Sequence, residues 1–202
     1  YTNSLQALNA SYEKGFRLFE LDIIETSDNK YVAAHDWNHW AKIANYKGPL
    51  PVSEQEFVKH KILGKYTPLT MDDINLWFKQ HADAILVTDK VNKPIDFSKR
   101  FINKNRLIME LFSIEAIKEG LAAGIKSVLL SQNVFNSFKT DKLAALKELG
   151  VECIAVPRHN VQENPELFEQ LKIQNILVYV FNVNFDIRKN EQYVVDYEMD
   201  YI

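Results

Sequence analysis

Short apolar runs rich in β-branched residues alternate with longer amphipathic stretches along this chain of 202 residues. Continuous apolar runs are typical of parallel strands that are covered on both faces, and the amphipathic stretches have the helical period. The pattern predicts strands at residues 17–24, 84–88, 106–111, 127–131, 152–156, 177–181 and 199–202. It predicts helices at residues 4–14, 71–80, 114–123, 141–149, 165–172 and 186–197.

Strands that alternate with helices indicate a parallel α/β fold, and their even spacing favours a closed (β/α)8 TIM barrel over a doubly wound sheet. No glycine-rich phosphate loop follows any predicted strand, so neither the dinucleotide-binding nor the P-loop fingerprint is present. A polar turn at residues 26–30 predicts that residues 31–34 return as the second strand of a β-hairpin. No linker rich in Gly, Ser or Pro interrupts the chain, so we expect a single domain over residues 1–202.

Composition excludes several classes of protein. The chain has 24 basic and 27 acidic residues, so it lacks the positive field that attracts nucleic acid. No apolar run approaches the roughly 20 residues needed to span a bilayer, so we expect a soluble protein, cytoplasmic or exported, without stable membrane insertion. The chain opens at Tyr1 without an initiator methionine, which we interpret as a fragment or a mature form. Its compartment and oligomeric state stay open.

Two carboxylates mark the end of the first predicted strand. Glu20 and Asp22 are two residues apart, so they share one face of that strand, about 7 Å from each other. Aimed into a barrel, they would repel each other unless a cation lay between them. Hard oxygen ligands suit Mg2+ or Ca2+. The alternative is a solvent-exposed strand face without a ligand.

The predicted hairpin returns His35 and Asp36 to the neighbourhood of these carboxylates. A histidine beside a metal-bound phosphate can act as a general acid or base, because its unperturbed pKa is near 6.5. The alternative is an ordinary loop histidine.

Residues 15–28, GFRLFELDIIETSD, followed by Val32-Ala33-Ala34-His35-Asp36, resemble the signature of the glycerophosphodiester phosphodiesterase family. That signature is a strand with Glu-x-Asp, a turn with Thr-x-Asp and a short strand that ends in His-Asp. Residues 1–4 resemble the segment that opens the family's first helix. Residues 178–184 resemble its late Trp-Thr-Val-Asn strand, with Phe181 at the aromatic position, and residues 197–202 resemble the approach to its last strand.

The sequence departs from the family pattern at two places. The family has a catalytic histidine upstream of its first helix, and this chain starts after that point. The family's third metal ligand is the glutamate of Glu-x-Lys, where this chain has Thr88-Asp89-Lys90. A bulge could turn Asp89 inward, and Glu110, at the end of the next strand, is the substitute candidate.

The resemblance implies metal-dependent hydrolysis of a glycerophosphodiester, with release of an alcohol and glycerol phosphate. Glu20, Asp22 and Asp89 would bind one divalent cation, Mg2+ or Ca2+. His35 and Lys90 would be the catalytic residues, and Phe181 would pack against the polyol. Trp37, close to His39 and Trp40, is expected to contribute to a substrate entrance.

Two alternatives remain open at the level of the sequence. One is phospholipase-like cleavage of a lipid or cell-surface phosphodiester. The other is a degenerate barrel that binds a phosphorylated ligand without turnover, which the missing upstream histidine and Thr88 would favour.

Overall fold

The computed structural model describes residues 2–181 except Lys126 and Thr140. The predicted helix at residues 186–197 and strand at residues 199–202 lie outside these residues. None of the described helices is both long and apolar enough to cross a membrane.

Seven strands form one sheet in the described part of the chain. They are β1 (Leu18–Glu25), β2 (Tyr31–Ala33), β3 (Ile85–Asp89), β4 (Leu107–Leu111), β5 (Ser127–Leu130), β6 (Cys153–Pro157) and β7 (Leu177–Phe181). Their spatial order is β2-β1-β3-β4-β5-β6-β7, and every pair is parallel except the β1–β2 hairpin.

The parallel strands lie side by side in chain order, whereas a doubly wound sheet reverses its order at a switch point. With helices between the strands, this arrangement is a partial, open barrel. The predicted α/β barrel class is confirmed, and so is the hairpin that follows the Glu-x-Asp strand.

Ten α-helices are present in the described residues. They are α1 (Leu5–Glu13), α2 (Trp37–Ile43), α3 (Glu54–Phe57), α4 (Met71–Gln80), α5 (Pro94–Arg100), α6 (Ile114–Ala122), α7 (Gln132–Ser137), α8 (Lys142–Leu149), α9 (Arg158–Glu163) and α10 (Pro165–Ile173). A short 3-10 helix at Lys104–Arg106 precedes β4. The sequence pattern does not predict α2, α3, α5, α7 and α9, because each has seven residues or fewer and so covers two helical turns at most.

The strands alternate between two apolar layers. Phe19, Leu21 and Ile23 of β1 belong to the large cluster between the sheet and the surrounding helices. A smaller cluster inside the barrel contains Val87, Leu129, Cys153 and Ala155, with Leu18, Ile108, Tyr179 and Phe181 packed against it. Side chains alternate between the two faces of a strand. Residues two positions after a member of the inner cluster therefore also face the barrel interior.

Residues 34–69 follow the hairpin and build a third apolar cluster of their own. Trp40 of α2 is fully buried and stacks against Phe57 of α3, with ring centroids 5.3 Å apart. Val32 and Ala34 from the hairpin belong to the same cluster. This packing connects the start of α2 to the end of β2, and it thereby positions the segment that carries His35.

Candidate metal centre and cavity

A cavity of about 720 Å3 lies at the carboxyl ends of the parallel strands, the usual location of active sites in α/β barrels. Its walls come from β1, β3, β4 and β7 and from the segments that follow β2, β3, β4 and β5, including the starts of α2 and α7. The lining residues are Glu20, Asp22, His35, His39, Asp89, Lys90, Glu110, Phe112, Ser131, Gln132, Asn133, Tyr179, Val180 and Phe181.

Glu20, Asp22 and Asp89 converge in this cavity. Each offers one carboxylate oxygen, and the three oxygens lie within 4.8 Å of one another. Asp22 is buried, Asp89 is partly buried and Glu20 is open to the cavity. Three negative oxygens this close repel one another, and the donor set is the one that Mg2+ and Ca2+ prefer. The residues present therefore fit a hard divalent cation.

The regular register of β1 and β3 places Asp89 directly opposite Asp22. Val87 belongs to the inner cluster, so Asp89 faces inward by simple alternation, and the bulge invoked from the sequence is not needed. Thr88 is fully buried on the opposite face, and its hydroxyl has no hydrogen-bond partner among the described residues.

Lys90 follows Asp89 in the left-handed region, with φ at 71°, which directs its side chain back over the carboxylates. Its Nζ lies 2.5 Å from Asp89 Oδ2 and 3.7 Å from Asp22 Oδ1. Burial opposes the charged form, but the hydrogen bond to Asp89 and the neighbouring carboxylates outweigh it and raise the pKa of Lys90. The ammonium therefore stays protonated at neutral pH.

Asn3 holds Asp22 through two hydrogen bonds. Its Nδ2 donates to Asp22 Oδ2 at 2.8 Å, and its Oδ1 accepts from the Asp22 backbone N–H at 3.1 Å. The only sequence signal for this contact is that Asn3 lies in the segment resembling the start of the family's first helix, which does not reveal the partner.

Like charges and burial perturb Glu20 and a fourth carboxyl group of the cavity, Glu110. Desolvation raises the pKa of Glu20, with Asp89 and Asp22 adding to it, although a hydrogen bond from Tyr179 acts in the opposite direction. Desolvation raises the pKa of Glu110 to about 8, and the charges of Asp89 and Glu20 contribute. A cation in the cavity would relieve this repulsion.

His35 occupies the rim of the cavity, on the loop after β2. Its Nδ1 lies 2.7 Å from Asp36 Oδ2. Asp36 also caps α2, because its Oδ1 accepts from the His39 backbone N–H at 2.8 Å. These contacts hold the pKa of Asp36 below its usual range. An ionised Asp36 favours a proton on Nδ1 of His35, which leaves Nε2 as its accepting atom.

The remaining predicted residues lie in two different places. Phe181 lines the cavity at the end of β7. Trp37 does not contribute to the cavity lining in the described structure: its indole N–H donates to the Glu25 carbonyl at 3.2 Å and its ring packs on Trp40 and Phe57. His39 lines the cavity instead, 5.7 Å from the His35 ring.

Two lining side chains, Tyr179 and Ser131, are not singled out by the sequence. Tyr179 sits inside a predicted strand, where an aromatic residue most often fills the core. Ser131 ends the predicted strand at residues 127–131, and the rule that polar strand ends face the site would have identified it.

The protein is an α/β barrel that carries a carboxylate cluster and a lysine at the carboxyl ends of its strands. The chain matches no protein-family model and no curated protein sequence. The chain is similar in structure to solved proteins, and three of these are phosphodiesterases.

The glycerophosphodiester phosphodiesterase of Thermotoga maritima superposes with a TM-score of 0.72 at 16% identity, over 98% of this chain and 85% of that one. A phosphodiesterase of Oleispira antarctica, solved with sn-glycerol-3-phosphate, gives 0.74 at 14% identity over 98% and 83%. A glycerophosphodiester phosphodiesterase of Parabacteroides distasonis gives 0.70 at 19% identity over 90% and 77%. The fold is that of the glycerophosphodiester phosphodiesterases, which confirms at the level of structure the resemblance seen in the sequence.

Proposed function

We propose that this protein is a phosphoric diester hydrolase that cleaves a glycerophosphodiester to an alcohol and glycerol phosphate with the help of a divalent cation. The observation that carries the proposal is the convergence of Glu20, Asp22 and Asp89 on one point beside Lys90. The activity for which the similar structures are named and the glycerol phosphate bound in one of them support the choice of reaction.

Glu20, Asp22 and Asp89 would hold the cation, Mg2+ or Ca2+, which stabilises negative charge on a nonbridging phosphate oxygen when it is bound. Asn3 keeps the Asp22 carboxylate in place, and Lys90 adds a fixed positive charge for another phosphate oxygen. Asp89 would thus act on the phosphate through the cation, and Lys90, the next residue in the chain, would act on it directly.

His35 would transfer the proton in this scheme. With Nδ1 held by Asp36, its Nε2 can take a proton from the attacking hydroxyl or return one to the leaving alkoxide. Phe181, which lines the cavity at the end of β7, would offer an apolar face to the carbon skeleton of the polyol.

Two other functions fit the same cavity. A lipid or cell-surface phosphodiester would also satisfy the carboxylates and Lys90, and a barrel that binds without turnover would keep metal and ligand affinity. Assays on a soluble glycerophosphodiester, a phospholipid and a teichoic-acid-type polymer separate these cases.

Calorimetric titration with Mg2+ and with Ca2+ tests the metal site. We expect binding to the protein and its loss in Glu20→Gln/Asp22→Asn. A matched control, Glu148→Gln/Glu152→Gln, removes the same charge from two exposed residues outside the cavity lining and should bind like the unmodified chain. Equal loss in both double variants would reject the site.

The hydrolysis assay is then run with and without the bound cation. Metal-stimulated release of glycerol phosphate supports the proposed reaction. Metal and diester binding without any product would favour the non-catalytic alternative.

A further inference from the structure

A second polar group lies in the cavity, away from the three candidate metal ligands. It comprises Glu110 at the end of β4 and Ser131 directly after β5, with Phe112, which follows β4, on the same lining. The roles proposed above for metal, phosphate and proton transfer use neither Glu110 nor Ser131.

Ser131 is 2% exposed, and its hydroxyl has no hydrogen-bond partner in the described structure. It precedes α7 but forms no side-chain cap with that helix. Leu129 faces the barrel interior, so Ser131, two residues further, points the same way, into the cavity. A buried hydroxyl of this kind is expected to have a partner, and here a bound ligand can supply it.

Glu110 is paired with Leu129 across the β4–β5 ladder, and Ser131 follows Leu129 by two residues on the same face. Neighbouring strands are about 4.8 Å apart, and side chains that face the same way repeat about every 7 Å along a strand. One small group can therefore contact both side chains. No hydrogen bond or ion pair joins the Glu110 carboxylate to another residue of the described chain.

The charge of the cavity indicates the nature of that group. Three carboxylates, Glu20, Asp22 and Asp89, face one lysine, and Glu110, whose pKa is raised to about 8, adds a fourth negative charge when it ionises. A divalent cation and a phosphodiester anion, taken together, add a single positive charge, so the carboxylates remain in excess. A positively charged ligand group beside Glu110 would reduce that excess.

We propose that Glu110 and Ser131 bind a primary ammonium group on the alcohol portion of the substrate. This inference rests on the proposed diester hydrolysis and names the alcohol that the site prefers. A primary ammonium has three N–H donors, enough for the carboxylate and the hydroxyl together. Phe112, on the same cavity lining, supplies an aromatic side chain of the kind that cations favour. A quaternary ammonium has no donor for Ser131, and a neutral alcohol carries no charge for Glu110.

The test compares three glycerophosphodiesters whose alcohols are 2-aminoethanol, choline and glycerol. We expect the lowest KM for the 2-aminoethyl diester. Glu110→Gln should raise the KM for the 2-aminoethyl diester about tenfold, the KM for the choline diester less and the KM for the glycerol diester least. Ser131→Ala should raise only the KM for the 2-aminoethyl diester, by several-fold. Glu148→Gln and Ser98→Ala are controls outside the cavity lining.

Two results would overturn the inference. One is an equal change of KM for all three diesters in both variants. The other is loss of Mg2+ binding in Glu110→Gln, because Glu110 would then be a metal ligand rather than part of the alcohol site.

Direct binding separates this inference from the proposed reaction. Calorimetric affinities of the Mg2+-loaded protein for the same three diesters should follow the same order even if no turnover occurs. Tighter binding of the 2-aminoethyl diester without hydrolysis would support the subsite and reject the reaction. Hydrolysis without any preference among the three alcohols would support the reaction and reject the subsite.

Discussion

The hydroxyl of Tyr179 donates a hydrogen bond to the Glu20 carboxylate at 2.6 Å, between residues 159 positions apart in the chain. Glu20 lies on β1 and Tyr179 on β7, and these strands are not neighbours in the described sheet. The sheet therefore curves far enough for side chains of its first and last parallel strands to meet. This bond occupies one oxygen of Glu20 and leaves the other for a cation.

Tyr179→Phe should weaken Mg2+ binding about tenfold or more without unfolding the protein. The ring keeps its packing inside the barrel, but Glu20 loses the donor that orients it, and a hydrogen bond to a charged group contributes about 1.5–3 kcal/mol. Calorimetry measures the affinity, and Tyr12→Phe, which removes a bond to the exposed Asp83, is the control. Unchanged affinity in Tyr179→Phe would show that Glu20 needs no orientation from β7.

Asn3→Ala should also reduce the affinity for Mg2+, because Asp22 would lose both the donor to its carboxylate and the acceptor of its backbone N–H. Groups that orient metal ligands typically change affinity by about 10- to 100-fold when removed. Gln6→Ala, which removes hydrogen bonds to Thr67 near the same helix, is the matched control. A similar loss in both variants would indicate displacement of α1 instead.

Glu110→Gln should alter the pH dependence of stability. The pKa of Glu110 is raised from 4.5 to about 8 in the folded protein, so between these values the unfolded carboxyl ionises while the folded one keeps its proton. Stability of the unmodified protein should therefore fall as the pH rises through this window. The glutamine variant lacks this loss.

Denaturant unfolding in the presence of a chelator measures the effect. We expect the variant to gain on the order of 1 kcal/mol relative to the unmodified protein between pH 5 and pH 8, less than full linkage because the cavity is open to solvent. Glu148→Gln provides the reference at an exposed site. Parallel stability curves for Glu110→Gln and the unmodified protein would contradict the raised pKa.

His35→Ala should lower kcat by about 100-fold or more, the usual contribution of a general acid or base. His39→Ala should act mainly on KM, because His39 lines the cavity and its backbone N–H, rather than its ring, bonds Asp36. Steady-state kinetics on a glycerophosphodiester distinguishes the two effects. A large loss of kcat in His39→Ala, with mainly a change of KM in His35→Ala, would instead assign proton transfer to His39.

Strand ends were the most predictable part of the site. Glu20 and Asp22 could be selected from the sequence because polar residues that close apolar runs gather at one end of a parallel barrel. Asp89 was a candidate only through the family's Glu-x-Lys and an assumed bulge, which the regular register of β3 does not need. The short helices were not predictable, since α2 and α7 extend over too few residues to show the helical period. Trp37 illustrates the same limit: proximity to His35 in sequence suggested the cavity, but its ring packs into the cluster of α2 and α3.

The sequence by itself determined the class of fold, the hairpin and the identity of the acidic strand ends, because hydrophobic periodicity and turn residues act over a few neighbouring positions. Only the tertiary structure decided which groups meet. The β1–β3 register places Asp89, rather than Thr88, opposite Asp22, and the curvature of the sheet brings Tyr179 to Glu20. Such contacts depend on register and curvature summed over many strands, which no local pattern specifies.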